Sequence, residues 1–424
     1  MKKVFRKEIL SNGLSVVLIP QKESATATVL ILVATGSKYE TKDINGISHF
    51  LEHMCFKGTK KRPRAIDISS ELDGLGAEYN AFTGHEYTGY YAKVDSAHTH
   101  TALDVVADIY QNQIFDSKEI KKESGVILEE INMYEDNPRR RVQEKLHSLL
   151  YGDQPAGWDI AGTKNTVRSI DKKALEKYRS EHYVAGATTV VISGVFDEEK
   201  ILRDIEKKFS RISRSWKHGK FPVVENQTKP ALVTTHKKTD QSHLAFAFRA
   251  YPYGDSRIPA LTVLATILGG GMSSCLFEVV RERLGAAYYV SASTDLYTDH
   301  GYLAIVAGAG NNKVDIVIKE ILHACRVLKE KRVSLKEITK AKDYIIGRTA
   351  LGLETTDAVA MFYGEHYLLG KKLEEPKIHM KKIRDVQTEE ILRVAREIFT
   401  DKNLNLAYIG PRKDTGAFAR LLRV

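Results

Sequence analysis

Cysteine is scarce in this chain: Cys55, Cys275 and Cys325 are the only three in 424 residues, with no Cys-x-x-Cys pair and no even set for a disulfide framework. That scarcity favours a reducing compartment, and a cytoplasmic location is expected. Long apolar runs are missing too. The best, Val29 to Ala34, falls far short of the ~18 residues a membrane helix needs and suits a buried strand, so no membrane partner is expected. Lys2, Lys3, Arg6 and Lys7 make the start basic, but Ser11-Asn12-Gly13 follows where a secretory signal would need an apolar core. Ten prolines exclude a proline-rich low-complexity protein, and 43% hydrophobic with 28% charged residues is the profile of a folded globular one.

Negative charge is also short, leaving a formal net charge of +10. Its basic clusters, Lys57 to Arg64 and Arg139-Arg140-Arg141, lack the interleaved aromatics and fold signature of a nucleic-acid reader. Both read as solvated faces, and no nucleic-acid partner is expected.

At this length two domains, or one large α/β domain, are expected. An internal repeat supports two. Ile170 to Tyr183 reads as an amphipathic helix leading into the strand Thr189 to Gly194, and about 216 residues later Val386 to Phe399 leads likewise into Asn405 to Gly410. The same offset pairs the apolar strand Val29 to Val33 with Ala245 to Arg249. The fold class expected is α+β: two homologous α/β-sandwich halves, each a mostly antiparallel sheet backed by helices. The boundaries expected are 1–215 and 225–424, joined by a polar linker over 210–228.

The first half contains His49-Phe50-Leu51-Glu52-His53 on a stretch that reads as a helix. Residues four apart share a helix face, so His49 and His53 can grip one metal ion while Glu52 points the same way. Two imidazoles on zinc with a free carboxylate nearby are the chemistry of a zinc hydrolase. The bland alternative is that Phe50, Leu51 and Met54 make this a core helix with incidental histidines. The repeat lays His49, Glu52 and His53 on Ala265, Leu268 and Gly269, so the second half has no counterpart ligands.

A hydrolytic zinc site wants a third protein ligand. The richest source is the predicted helix Ser117 to Tyr134, which carries Glu119, Glu123, Glu129 and Glu130, with Glu135 just beyond it. Glu123 and Glu130, seven apart, share a face, while Glu129 points about 100° away. Spacing alone does not choose among them. Gly76 to Thr83 and Tyr87 to Val94 read as paired strands around Gly84-His85-Glu86. An exposed edge there would offer backbone groups to an extended peptide.

His49 to Thr59, then Asn80-Ala81-Phe82-Thr83, then Val126 to Ile131 resemble the inverted-zinc-motif metallopeptidases, a family that includes pitrilysin, insulin-degrading enzyme and the mitochondrial processing peptidase. Length and repeat resemble its short-chain, processing-peptidase-like branch. The resemblance implies one Zn²⁺ per chain on His49, His53 and Glu130, with Glu52 as general base and Glu123 as an auxiliary acid supporting a ligand. It implies a substrate-pairing strand at Asn80, Ala81 and Phe82.

In the second half, Leu268-Gly269-Gly270-Gly271-Met272-Ser273-Ser274, followed by Arg281 and Tyr288, resembles the family's glycine-rich loop and its Arg/Tyr pair. That pair is implied to hold substrate backbone and assist the tetrahedral intermediate. Without the family, the glycines read as a helix-ending turn, Arg281 as a surface residue and Tyr288 as a strand residue. Two departures stand out. The family's usual Gly-Leu-Ala-Tyr reads Gly285-Ala286-Ala287-Tyr288, and Arg139 to Arg141 stand where relatives often have acids, which favours acidic or neutral peptides.

The expected function is therefore zinc-dependent endopeptidase action on oligopeptides or unfolded segments. A dimeric chamber is expected, from a homodimer or a heterodimer with a paralogous subunit, with Arg281 and Tyr288 acting in trans. The alternative is a non-catalytic structural or regulatory subunit of a peptidase-like complex.

Overall fold

In β3 (Thr26–Val33) consecutive residues are buried on both sides of the strand, which is why its apolar run is unbroken. Val29, Ile31 and Val33 face one core, together with Phe50 and Leu103, while Leu30 and Leu32 face another with Tyr363 and Leu368. The computed structural model describes residues 4–214, 219–370 and 372–424. Residues 215–218, inside the expected linker and including its domain boundary, lie outside them.

Around β3 run β1 (Arg6–Ile9), β2 (Ser15–Pro20), β4 (Glu78–Thr83), β5 (Thr88–Asp95) and β6 (Thr188–Gly194), in the order β1-β2-β6-β3-β5-β4. All neighbours are antiparallel except β2 with β6. The strand β4 forms one edge.

The second sheet comprises β7 (Ala231–His236), β8 (Gln241–Ala250), β9 (Ala287–Leu296), β10 (Gly301–Gly310) and β11 (Leu404–Gly410), in the order β7-β11-β8-β10-β9. Only β7 and β11 are parallel. This repeats β2-β6-β3-β5-β4 strand for strand. The helices Lys172–His182 and Thr388–Ile398, and the strands β6 and β11, are offset by the same 216 residues. The fold is α+β in two related halves.

The compact units are not contiguous in sequence. One comprises residues 1–132, 158–221 and 351–375, and the other 133–157, 222–350 and 376–424. A boundary drawn once through the linker, at 215 to 225, therefore leaves two segments on the far side. The helix Thr356–Gly370 packs on the first sheet through Val359, Ala360 and Tyr363. The helix Pro138–Tyr151 packs on the second through Val142, Leu146 and Leu150, against the small residues Ala245, Ala247 and Ala407.

Candidate metal centre and active site

The helix Ile47–Met54 begins at Gly46, whose φ of +99° is a left-handed conformation suited to glycine. A side chain there would also meet the backbone of Ala161, with a Cβ 2.7 Å from its carbonyl oxygen. The first turn is capped by a buried carboxylate. Asn45 Nδ2 and the Gly46 N–H donate to Glu40 Oε2 at 2.9 and 2.7 Å, and the Ser48 N–H donates to Oε1 at 2.9 Å. Burial pushes the Glu40 pKa up to about 7 against these stabilising hydrogen bonds. Phe50, Leu51 and Met54 enter the core, leaving His49, Glu52 and His53 on the partly open side.

Among the described residues, His49, His53 and Glu130 form a group whose potential ligand atoms all lie within 4.8 Å of one another. His49 Nε2 and His53 Nε2 are 3.3 Å apart, and Glu130 Oε2 is 3.6 and 3.5 Å from them. Zinc bonds of ~2.0–2.1 Å in a tetrahedral array would space ligands about 3.3–3.5 Å apart, so the donor set fits that ion.

The helix Ser117–Asp136 brings Glu130 here and leaves Glu129 exposed, near Asn132. Its Glu123, one face and two turns earlier, accepts from His53 Nδ1 at 2.9 Å, aiming Nε2 at the other two donors. Lys57 Nζ lies 2.7 Å from the other oxygen of Glu123. Burial opposes ionisation of Glu123, but His53 and Lys57 outweigh it and hold its pKa below the usual range. For His53, burial alone would lower the pKa; Glu123 and Glu130 prevail and push it up to about 9.

Glu52 stands apart from these three side chains. Burial raises its pKa, and Glu130 adds to this, while Thr83 and His53 favour the carboxylate. Thr83 Oγ1 donates to Glu52 Oε2 at 2.5 Å. Thr83 ends β4, so the sheet edge carrying Asn80, Ala81 and Phe82 is tied directly to Glu52. Tyr79 stacks on Phe56 on that same side, at 6.4 Å between ring centroids. Sequence reasoning missed the roles of Glu40, Lys57 and Thr83, whose contacts are made by tertiary packing.

The Arg281/Tyr288 pair belongs to the second unit. The helix Ile258–Gly269 ends in the glycines, and Gly269 abuts the backbone of Ala292 on β9 so closely that no Cβ fits. Arg281 lies on a widened π-helical segment, Phe277–Arg283, with its guanidinium 4.7 Å from the Phe277 ring and 5.8 Å from the Tyr288 ring. Tyr288, on the edge strand β9, is 72% exposed.

Residues 15–164 match the family described as Insulinase (Peptidase family M16), and residues 169–345 match the Peptidase M16 inactive domain. The uncharacterized zinc protease YmxG of Bacillus subtilis (strain 168) is 35% identical over 96% of this chain and 98% of its own. The chain belongs to peptidase family M16. An uncharacterized zinc protease of Rickettsia felis is likewise 35% identical, over 97% of this chain and 98% of its own. The M16 fold is shared with a protease from Helicobacter pylori, at a TM-score of 0.90 and 23% identity over 96% of this chain and 99% of that one. A Pseudomonas fluorescens protein described as a peptidase M16 inactive domain has a TM-score of 0.89 and 16% identity, over 96% and 98%. The chain thus belongs to a metallopeptidase family, and the half that matches the inactive domain lacks counterparts to His49, Glu52 and His53.

Proposed function

We propose that this M16 protein is a zinc-dependent endopeptidase that hydrolyses oligopeptides or unfolded segments. The observation that carries the reading is the convergence of His49 Nε2, His53 Nε2 and Glu130 Oε2 beside the carboxylate of Glu52. Two imidazoles and one carboxylate suit one zinc ion per chain, leaving a position open. A zinc ion bound there would acidify water and polarise a peptide carbonyl.

Glu52 takes the proton of the attacking water and delivers it to the leaving amine. Its pKa, raised by burial, suits the role, since a carboxylate with a raised pKa takes up a proton more readily than an ordinary one. The open edge of β4 pairs with the peptide backbone, giving affinity with little demand on sequence. Arg281 and Tyr288 hold the peptide backbone and the developing oxyanion. They act from a second subunit, this chain or a paralogue, in a dimer that encloses its substrate. Free cysteines, two of them buried, agree with a cytoplasmic setting.

Glu52→Gln should keep its zinc and lose ~10²–10⁴-fold in peptide cleavage. Wild-type rates in a zinc-loaded Glu52→Gln protein would remove the assigned base. No cleavage by zinc-loaded wild type across a mixed peptide library would favour the non-catalytic subunit instead. Mixing Glu52→Gln with Arg281→Ala chains should restore activity if sites are composite. Absence of rescue in demonstrated mixed dimers would place both groups in one chain.

A further inference from the structure

Behind the substrate edge, the first unit contains a cavity of about 380 Å³ that the metal centre does not use. Its walls are Leu30, Asn80, Phe82, Tyr91, Ala358 and Met361. The register shows which side of the sheet this is. Asn80 pairs with Tyr91 and Tyr91 with Leu30, so their side chains share one face, the one covered by the helix Thr356–Gly370. Tyr79 and Thr83 point to the opposite face, toward Phe56 and Glu52.

A peptide strand added along β4 must alternate in the same way. Side chains that face Glu52 and the motif helix alternate with side chains that face the cavity. We propose that the cavity is a subsite for a large uncharged side chain, aliphatic or aromatic, at peptide positions alternating with those turned toward the metal centre. This rests on the edge-strand reading above and adds a specificity to it.

The lining decides the chemistry. Several of its polar atoms are already engaged with neighbouring groups. Thr28 Oγ1 is 2.9 Å from Thr356 Oγ1, Asp357 Oδ1 lies 3.2 Å from Lys93 Nζ, and Asn80 Oδ1 accepts from the Ala81 N–H at 2.9 Å. What remains to meet a ligand is apolar or uncharged: Leu30, Phe82, Tyr91, Ala358 and Met361, with the amide nitrogen of Asn80. A carboxylate entering there would approach Asp357, and an ammonium would compete with Lys93 while losing its hydration. The volume is within the range of ligand-binding pockets, and ample for a phenylalanine or methionine side chain.

The test uses the full-length Glu52→Gln chain loaded with zinc, and a set of short Ala/Ser/Gly peptides, each with one p-benzoylphenylalanine at a different position. After irradiation, mass spectrometry should find adducts on Met361 or Ala358 from alternate positions, with the intervening positions labelling Phe56 or Tyr79. Labels that reach β4 and Phe56 but never Met361 or Ala358 would overturn the subsite and leave the edge-strand reading intact. Labels only at sites remote from β4, or none at saturating peptide, would overturn both. A second arm fills the cavity with Ala358→Trp. Cleavage of a peptide with Phe at the cavity position should then fall at least ~10-fold in kcat/KM, while its Gly counterpart is unchanged. Equal losses for both peptides would overturn the proposal.

Discussion

The Glu123 side chain is 3% exposed, and a carboxylate so buried stays ionised only with compensating charge beside it. Lys57 supplies that charge, at 2.7 Å, and Glu123 in turn fixes the ring of His53. Lys57→Met should therefore weaken zinc binding ~10-fold or more by loosening the support of a ligand, while Lys57→Arg keeps most of the affinity. Competition against a chelator measures this, and equal affinities for Met and wild type would exclude the role. Glu40 gives a pH signature. Its folded-state pKa of about 7 exceeds the ordinary carboxyl value, so its stabilising contribution is complete below the unfolded pKa and is lost as pH rises through about 7. Glu40→Gln, which cannot ionise, should flatten the decline of melting temperature between about pH 5 and 8. Parallel slopes in the two proteins would contradict it. His49 and His53 were legible as a pair because a four-residue spacing places side chains on one helix face. Glu130 could not be chosen by spacing, since only tertiary packing leaves Glu129 exposed and turns Glu130 inward. Thr83 is 31 residues from Glu52, and no local pattern announces that contact.

An element is placed by its ends as much as by its faces. The motif helix was visible from Phe50, Leu51 and Met54 on one side and the polar motif on the other, but its start depends on Gly46, which nothing in the sequence singled out. Gly46→Ala would force a side chain into a left-handed conformation and against Ala161. The expected cost is ~1–3 kcal/mol, read from chemical denaturation, together with weaker zinc binding as the first turn shifts. Unchanged stability and zinc affinity would show that the helix starts equally well without glycine. Strands were legible for a similar reason: β3 is an unbroken apolar run because both its faces are covered, and β4 and β5 combine aromatic and β-branched residues around a short turn. The helix that covers the far face of β3 was not legible, because amphipathicity tells a helix to bury a stripe without naming the sheet.

At the scale of the molecule, the repeat correctly suggests two related sheets but suggests nothing about exchange between them. Pro138–Tyr151 lies in the first half of the sequence and covers the second sheet; Thr356–Gly370, close to one repeat length later, lies in the second half and covers the first. The exchange is reciprocal, so each sheet keeps a complete covering while each contiguous half lacks one. The first sheet's debt is specific. Val17, Ile19, Leu30, Leu32 and Val191 are at most 2% exposed beneath that helix. Gly364 lets it approach closely, since a Cβ there would stand 2.7 Å from Leu32. Thr28 with Thr356, and Tyr87 donating to Glu365 at 2.6 Å, fix its register. A chain cut to residues 1–221 would expose that apolar face to water, a patch of the kind that drives aggregation. We expect it to bind a hydrophobic dye, to melt without a sharp transition and to hold zinc poorly, although His49, His53 and Glu130 are all present. Calorimetry and zinc titration of the fragment beside the full chain decide the point: a fragment that melts as sharply and binds zinc as tightly as the whole would mean that the exchanged helix contributes nothing to the first sheet's stability.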